Sequence, residues 1–262
     1  MITAILKHQK ADTRSVFRSI LGLICLLPLI IAGCKLFSPS ATEAPIVVLT
    51  FDDQHLSVYD VAFPIMQQYG YRGTNFVNSG ALAKQERMDW HHIVELEKDY
   101  GWETGGHTLL HEQLNQLDLN EAEENICQDF QNLIEHGLKP ESFALPRGQC
   151  PSQVYPIILN KYKNIRGSSD FAMYVPIDRK SLGYLAFQTG WSAEPVKRRI
   201  LRGIANNEAL IIIGFHHFDA EEEYQDSCSS SVFEDILGFL HAMNIQVLPL
   251  KEAIDKAIAT SL

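Results

Sequence analysis

From Pro45 onward, short apolar runs of strand length alternate with longer stretches in which apolar residues recur every three or four positions. That alternation predicts βα units around a mainly parallel sheet. The β-branched run 46–50 predicts a first strand, and the segment closing on Gly70 predicts a helix ended by a glycine. Further strands are expected at 73–77, 102–106, 142–145, 165–168, 185–189, 209–215 and 245–248. Trp90, Ile93 and Leu96 mark one face of a helix over 89–100, and Val196, Ile200, Leu201 and Ile204 one face of another over 195–205. Asn120, with Glu123 three residues on, predicts the cap of a helix carrying Ile126, Phe130, Leu133 and Ile134 to Gly137. Such a series of strands, each feeding a helix, points to a distorted (β/α) barrel of about seven strands, with a doubly wound open sheet as the alternative. No glycine-rich phosphate loop follows the first strand, which favours the barrel.

The N-terminus breaks this pattern. Lys7, Lys10, Arg14 and Arg18 precede an apolar run over 20–32 that contains Pro28. The run is short of the roughly 20 apolar residues that span a bilayer core, so basic, apolar and small-residue regions together predict an export signal. It closes on Ile31-Ala32-Gly33-Cys34, which resembles a bacterial lipobox. That resemblance implies a signal over 1–34, lipidation of Cys34, and membrane attachment through it. Lys35 at the next position implies the outer membrane, on its periplasmic face. Residues 35–45 then read as a polar, proline-containing tether and 46–259 as one catalytic-sized domain.

Composition narrows the function classes. The 262 residues are 46% hydrophobic and carry 22 Lys+Arg against 32 Asp+Glu, a net charge of -10. Those values exclude a disordered chain and a multi-span membrane protein. With no dense basic block outside the first residues, nucleic acid is excluded as a partner. Removing 1–34 takes away four basic residues and one acidic residue, which leaves the remainder at −13. Of the 5 cysteines, Cys25 and Cys34 belong to the export segment. Cys150 and Cys228 follow strand-end motifs of an exported protein and are expected to form a disulfide, with Cys127 buried in its helix.

In a βα barrel the chemistry sits at the C-terminal ends of the strands. After the strand at 46–50 come Phe51, Asp52 and Asp53, and after 102–106 come His107 and His111. Leu145 is followed by Pro146 and Arg147, the strand near Phe187 by Gly190 and Trp191, and the strand over 209–215 by His216 and His217. Adjacent carboxylates at a strand end repel unless a divalent cation holds them charged. Two histidines four residues apart share a face of a helical turn and can reach one ion, so one Asp and two His make the three-protein-ligand set of a zinc-type site. The other Asp is then free to act as a base.

Thr50-Phe51-Asp52-Asp53 and His107-Thr108-Leu109-Leu110-His111 resemble the first two motifs of the NodB-homology polysaccharide deacetylases, carbohydrate esterase family 4. The similarity runs from about Pro45 to Ala259 and includes Ile213-Gly214-Phe215-His216 and Val247-Leu248-Pro249-Leu250. The resemblance implies metal-dependent removal of N-acetyl groups from a polymeric amino sugar in the cell envelope. Within it, Asp53, His107 and His111 bind the metal, Asp52 is the general base and His216 the general acid. His217 is the alternative acid. Pro146 and Arg147 border the oxyanion, and Trp191 walls the pocket. The cofactor is a divalent metal, Zn2+ first and Co2+ or Ni2+ as alternatives. The partner is an acetylated polysaccharide or oligosaccharide.

The sequence departs from the family pattern at three places. Ala144 stands where the third motif carries an Arg that orients the catalytic aspartate, and Arg147 stands where it carries a Tyr. Gly190 precedes Trp191 in place of an Asp, and Gln54 replaces a common Gly. These departures leave the orienting partner of Asp52 unassigned and admit two other readings: a glycan-binding homologue with little catalysis, and an O-acetyl esterase.

Overall fold

The computed structural model describes residues 44–220 and 226–260. The expected signal, lipidated Cys34 and nearly all of the tether lie outside the described residues.

Seven parallel strands form one sheet: β1 (Ile46–Asp52), β2 (Thr74–Val77), β3 (Glu103–Gly106), β4 (Ser142–Ala144), β5 (Asn164–Arg166), β6 (Leu185–Ala186) and β7 (Leu210–Phe215). Their order is β5-β4-β3-β2-β1-β7-β6. The sheet curls, and the chain entering β6 joins its two edges. Leu182 bridges Arg166 of β5 in parallel, and Ala186 pairs with Gly214 of β7. This is the distorted (β/α) barrel expected from the alternating pattern.

Alternation along each strand sorts the core into an outer and an inner layer. Val47, Leu49 and Phe51 of β1 and Ile211, Ile213 and Phe215 of β7 face outward into the largest apolar cluster. The helices α1 (Phe63–Gln68), α2 (Trp90–Lys98), α3 (Leu119–Glu135), α4 (Tyr155–Leu159), α5 (Glu194–Ala205), α6 (Ser230–Ala242) and α7 (Leu250–Ala259) surround the sheet. Ile46, Val48, Phe76 and Ile212 pack inside with Tyr184. Among the described residues, no helix is long and apolar enough to cross a membrane.

Local chemistry moved some expected boundaries. The cap of α3 is Asp118, which exchanges hydrogen bonds with Glu121, and Asn120 lies inside the helix. Asp89 caps α2 through a reciprocal pair with His92. The expected strand at 245–248 is reduced to one bridge between Val247 and Val47, because β2 already occupies the upper half of that edge of β1. The short ribbon of β8 (His217–Phe218) and β9 (Ser227–Cys228) adds a rim feature that the apolar pattern did not predict.

The Cys150–Cys228 disulfide is contradicted: Cys127, Cys150 and Cys228 are all free thiols. Cys150 packs with Leu145, Tyr155 and Ile158, whereas Cys228 is buried with Phe218 and Phe233 in a different apolar cluster. Rim position alone could not tell which loops meet.

Candidate active site

β1 ends in Asp52, whose side chain points into the barrel mouth. The next two residues leave the strand in the left-handed region, with φ of 67° at Asp53 and 42° at Gln54. A β-carbon makes that conformation costly. Here Gln54 offsets the cost by a double contact with Asn78: it accepts the Asn78 N–H at 2.9 Å and donates to the Asn78 carbonyl at 3.1 Å. Asn78 in turn donates its side-chain N–H to the carbonyls of His107 and Thr108. The departure from Gly at position 54 thus ties the ends of β1, β2 and β3 together.

His107 and His111 do not lie on a helical turn as their spacing predicted. Thr108 and His111 have φ of 67° and 65°, so the segment is a loop. Asn125 of α3 accepts the Leu109 N–H at 2.9 Å, and Asp129 of α3 accepts the His107 N–H at 3.3 Å and the Ser79 N–H at 3.0 Å. The loop still brings the imidazoles together, with ring centroids 4.9 Å apart.

Asp53, His107 and His111 converge so that one ligand atom from each lies within 4.8 Å of the others. Asp53 Oδ1 is 3.7 Å from His107 Nε2 and 3.8 Å from His111 Nε2, and it is buried with no hydrogen-bond partner. Ligands of a tetrahedral zinc-type ion sit about 2.1 Å from it and hence about 3.4 Å apart, so these spacings and the orphaned oxygen fit a divalent cation. His107 Nδ1 donates to the Ala144 carbonyl at 2.8 Å, which leaves Nε2 with its lone pair toward Asp53. Burial pushes the His107 pKa down to about 4, so the ring is neutral near pH 7, as a ligand must be.

Asp52 has the partner that the third motif did not supply. Arg166, at the end of β5, contacts both its carboxylate oxygens at 2.6 and 2.5 Å. Both side chains are buried, at 2% and 4% exposure. The guanidinium lies against the rings of Tyr184 and Phe76, 4.1 and 4.9 Å from their centroids. Burial raises the Asp52 pKa, but Arg166, His107 and His216 together outweigh it and leave the group below its ordinary value. His216 Nε2 lies 3.8 Å from Asp52 Oδ2, and its Nδ1 is buried without a hydrogen-bond partner.

Asp52, Asp53, His107, His111, Arg147, Arg166, His216 and His217 share one cavity of about 400 Å³. His217 lies against His55 with ring centroids 3.4 Å apart and the planes inclined by 43°, and Arg87 donates to the Asp53 carbonyl. Pro146 is buried behind the rim. Trp191 is not a cavity wall: it packs on Phe187 with centroids 5.8 Å apart, against the outer core. Gly190, with φ of 80°, turns the chain there, and the wall is formed by Tyr184 and Ala186 instead. Arg166, Tyr184, Arg87 and His55 escaped the sequence reading. A charged Arg166 closing the strand Asn164-Ile165-Arg166 was the one visible signal.

The structure is a curled parallel barrel with a carboxylate pair and two imidazoles at the C-terminal rim, the end at which barrels of this kind carry their chemistry. Residues 40–163 match the polysaccharide deacetylase family profile, and the curled seven-stranded sheet is that of the NodB-like deacetylase fold. Among solved structures, the carbohydrate esterase family 4 domain of a multidomain xylanase from the hindgut metagenome of Trinervitermes trinervoides is 14% identical, with a TM-score of 0.57 over 82% of this chain and 91% of that one. A family 4 acetyl xylan esterase from Clostridium thermocellum, in complex with a cobalt ion, is 15% identical, with a TM-score of 0.54 over 80% and 90%. The match to the Streptococcus pyogenes deacetylase PplD, 23% identical with a TM-score of 0.49, covers 52% of this chain and 62% of that chain. No curated protein matches the sequence.

Proposed function

We propose that the protein is a metal-dependent hydrolase that removes N-acetyl groups from a polymeric amino sugar. The observation that carries this reading is the pairing of two unlike carboxylates at one strand end. Asp52 is held by Arg166, while Asp53 keeps a bare buried oxygen beside two histidines.

Asp53, His107 and His111 would hold the ion, which when bound supplies Lewis acidity to the acetamide carbonyl and to water. Zinc suits the mixed carboxylate and imidazole donors, with cobalt and nickel as alternatives. Asp52, kept anionic by Arg166, takes the proton of the attacking water. The tetrahedral oxyanion lies near the backbone N–H of Arg147, a donor of a kind worth roughly 3 kcal/mol. His216 returns a proton to the departing amine, and its place beside Asp52 allows both groups to reach the same substrate atom cluster. Pro146 fixes the turn that carries Arg147.

Acetate release from N-acetylglucosamine oligomers by the metal-supplied protein tests the reading, with Asp52→Asn and His107→Ala as controls. Release no faster than in the controls would defeat it, and release from acetylated xylan alone would replace it with ester hydrolysis. We also place the domain 46–259 at the membrane through lipid on Cys34, on the periplasmic face of the outer membrane. The basic and apolar segment before Ile31-Ala32-Gly33-Cys34 supports this. Cys34→Ser should shift the protein from the membrane fraction to the soluble fraction.

A further inference from the structure

A second hollow of about 170 Å³ adjoins the main cavity and shares Leu145, Gly148 and Ser168 with it. Tyr155 and Phe171 offer aromatic surface there, Ser168, Ser169 and Ser181 offer hydroxyls, and Lys180 lies on its lining. None of its lining residues is acidic, although the chain as a whole carries a charge of -10. Phe171 is 41% exposed, an apolar ring left open to solvent.

Lys180 lines this hollow and Arg147 lines the main cavity beside it, and neither has an ion-pair partner among the described residues. Arg72 pairs with Glu252, Arg179 with Asp255, Lys197 with Asp235 and Arg199 with Glu208. Arg147 and Lys180 are both exposed. Arg147 is also held in place. Its φ is 53°, and it sits between buried Pro146 and Gly148 at φ 68°. A β-carbon on Gly148 would come within 1.8 Å of Ser168 Oγ, so this turn is packed tightly against the chain after β5. A left-handed turn thus sets Arg147, on the lining of the main cavity, next to Gly148, which both hollows share.

We propose that the second hollow seats the sugar next to the acetylated one, and that this neighbouring sugar carries a carboxylate. The assignment rests on reading the main cavity as the deacetylation site. Tyr155 and Phe171 pack on the sugar face and the three serines bond its hydroxyls. Arg147 grips the carboxylate through its planar fork, and Lys180 adds a point charge. On a protein of net negative charge, such a local basic rim is what allows an anionic glycan to approach. A uronic acid and a lactyl ether on an amino sugar present the same planar anion.

Calorimetric titration of the metal-supplied protein with three N-acetylated oligosaccharides tests this: a neutral N-acetylglucosamine oligomer, one alternating with uronic acid, and one bearing lactyl ethers. Either or both carboxylated oligomers should bind about 3- to 10-fold more tightly than the neutral one, the range for two exposed charge contacts. The gap should close at about 0.5 M salt. It should also close in Arg147→Gln/Lys180→Gln, and narrow in Lys180→Gln alone, with unchanged circular dichroism showing that the fold persists. Whichever carboxylated oligomer is favoured identifies the source of the anion. Equal affinity for all three, or a preference that survives the double substitution, overturns the proposal even if acetate is released. A preference lost in the double variant, without acetate release from any oligomer, supports the carboxylate site and defeats the deacetylase reading.

Discussion

Arg166 reaches across the barrel from the end of β5 to grip both oxygens of Asp52 at the end of β1, 114 residues earlier in the chain. The contact fills a gap that the sequence leaves open, because Ala144 occupies the place where the family's third motif carries its orienting Arg. Ala144 contributes its carbonyl to His107 instead.

Removing the guanidinium should therefore disable Asp52. Arg166→Met removes the largest of the influences that lower the Asp52 pKa, so that pKa rises. The acid limb of the pH–rate profile should move to higher pH, and kcat should fall by about 100-fold, the scale of a lost general base. Breaking a buried pair should also cost about 3–5 kcal/mol at neutral pH. The sign of its pH dependence follows from the depressed pKa. The pair's contribution is present above the ordinary Asp value of about 3.9 and fades as pH falls through the lower folded value. Denaturation at pH 7 and pH 3 should thus show the gap between wild type and variant narrowing in acid. A gap that widens would be inconsistent with an anionic Asp52. Arg166→Lys should retain the position of the acid limb.

The cluster of Asp53, His107 and His111 should make stability depend on added metal. At about a hundredfold excess of zinc over its dissociation constant, the native state gains about 2.7 kcal/mol, read as a rise in Tm. Asp53→Asn and His111→Ala should abolish that rise, and plasma mass spectrometry should find no bound metal in either. An equal rise in Asp53→Asn would remove Asp53 from the ligand set.

The two adjacent histidines should separate cleanly. His216 faces Asp52, while the His217 ring lies tilted against His55. His216→Gln should lower kcat by about 100-fold or more, in the range of a lost general acid. His217→Gln should retain most of kcat. The reverse ranking in a steady-state assay would transfer the proton-donor role to His217.

Cysteine chemistry should follow burial. Burial pushes the thiol pKa up to about 11 at Cys150 and about 12 at Cys228. Both should alkylate slowly in the folded protein at neutral pH, since the thiolate is the reactive form. In unfolded, unreduced protein, peptide mass spectrometry should find both carrying the alkyl group. A linked Cys150–Cys228 peptide would contradict the free thiols.

Particular residues show what was readable before folding. Ile46 through Thr50 are β-branched or aliphatic and buried, so the first strand and its terminal aspartates were legible from local pattern. The same holds for β7, where apolar residues run to His216. Asp118 was missed as the cap of α3 because Asn120 and Glu123 offered a competing capping pattern two residues later. Trp191 was misplaced because sequence position relative to a strand does not say toward which face of the sheet a loop turns. Cys150 and Cys228 were wrongly joined for a similar reason.

The sequence by itself determined the βα alternation and the order of strand ends, and with them Asp52, Asp53, His107, His111 and His216 as one rim set. Those signals are local: hydrophobic period, turn residues and short motifs are written in adjacent positions. Tertiary structure alone decided that Arg166 serves Asp52, that Tyr184 rather than Trp191 walls the cavity, and that a left-handed loop rather than a helix unites the histidines. These relationships depend on how the curled sheet brings β5 and the chain before β6 across the barrel from β1. No pattern of neighbouring residues encodes a contact between side chains 114 positions apart.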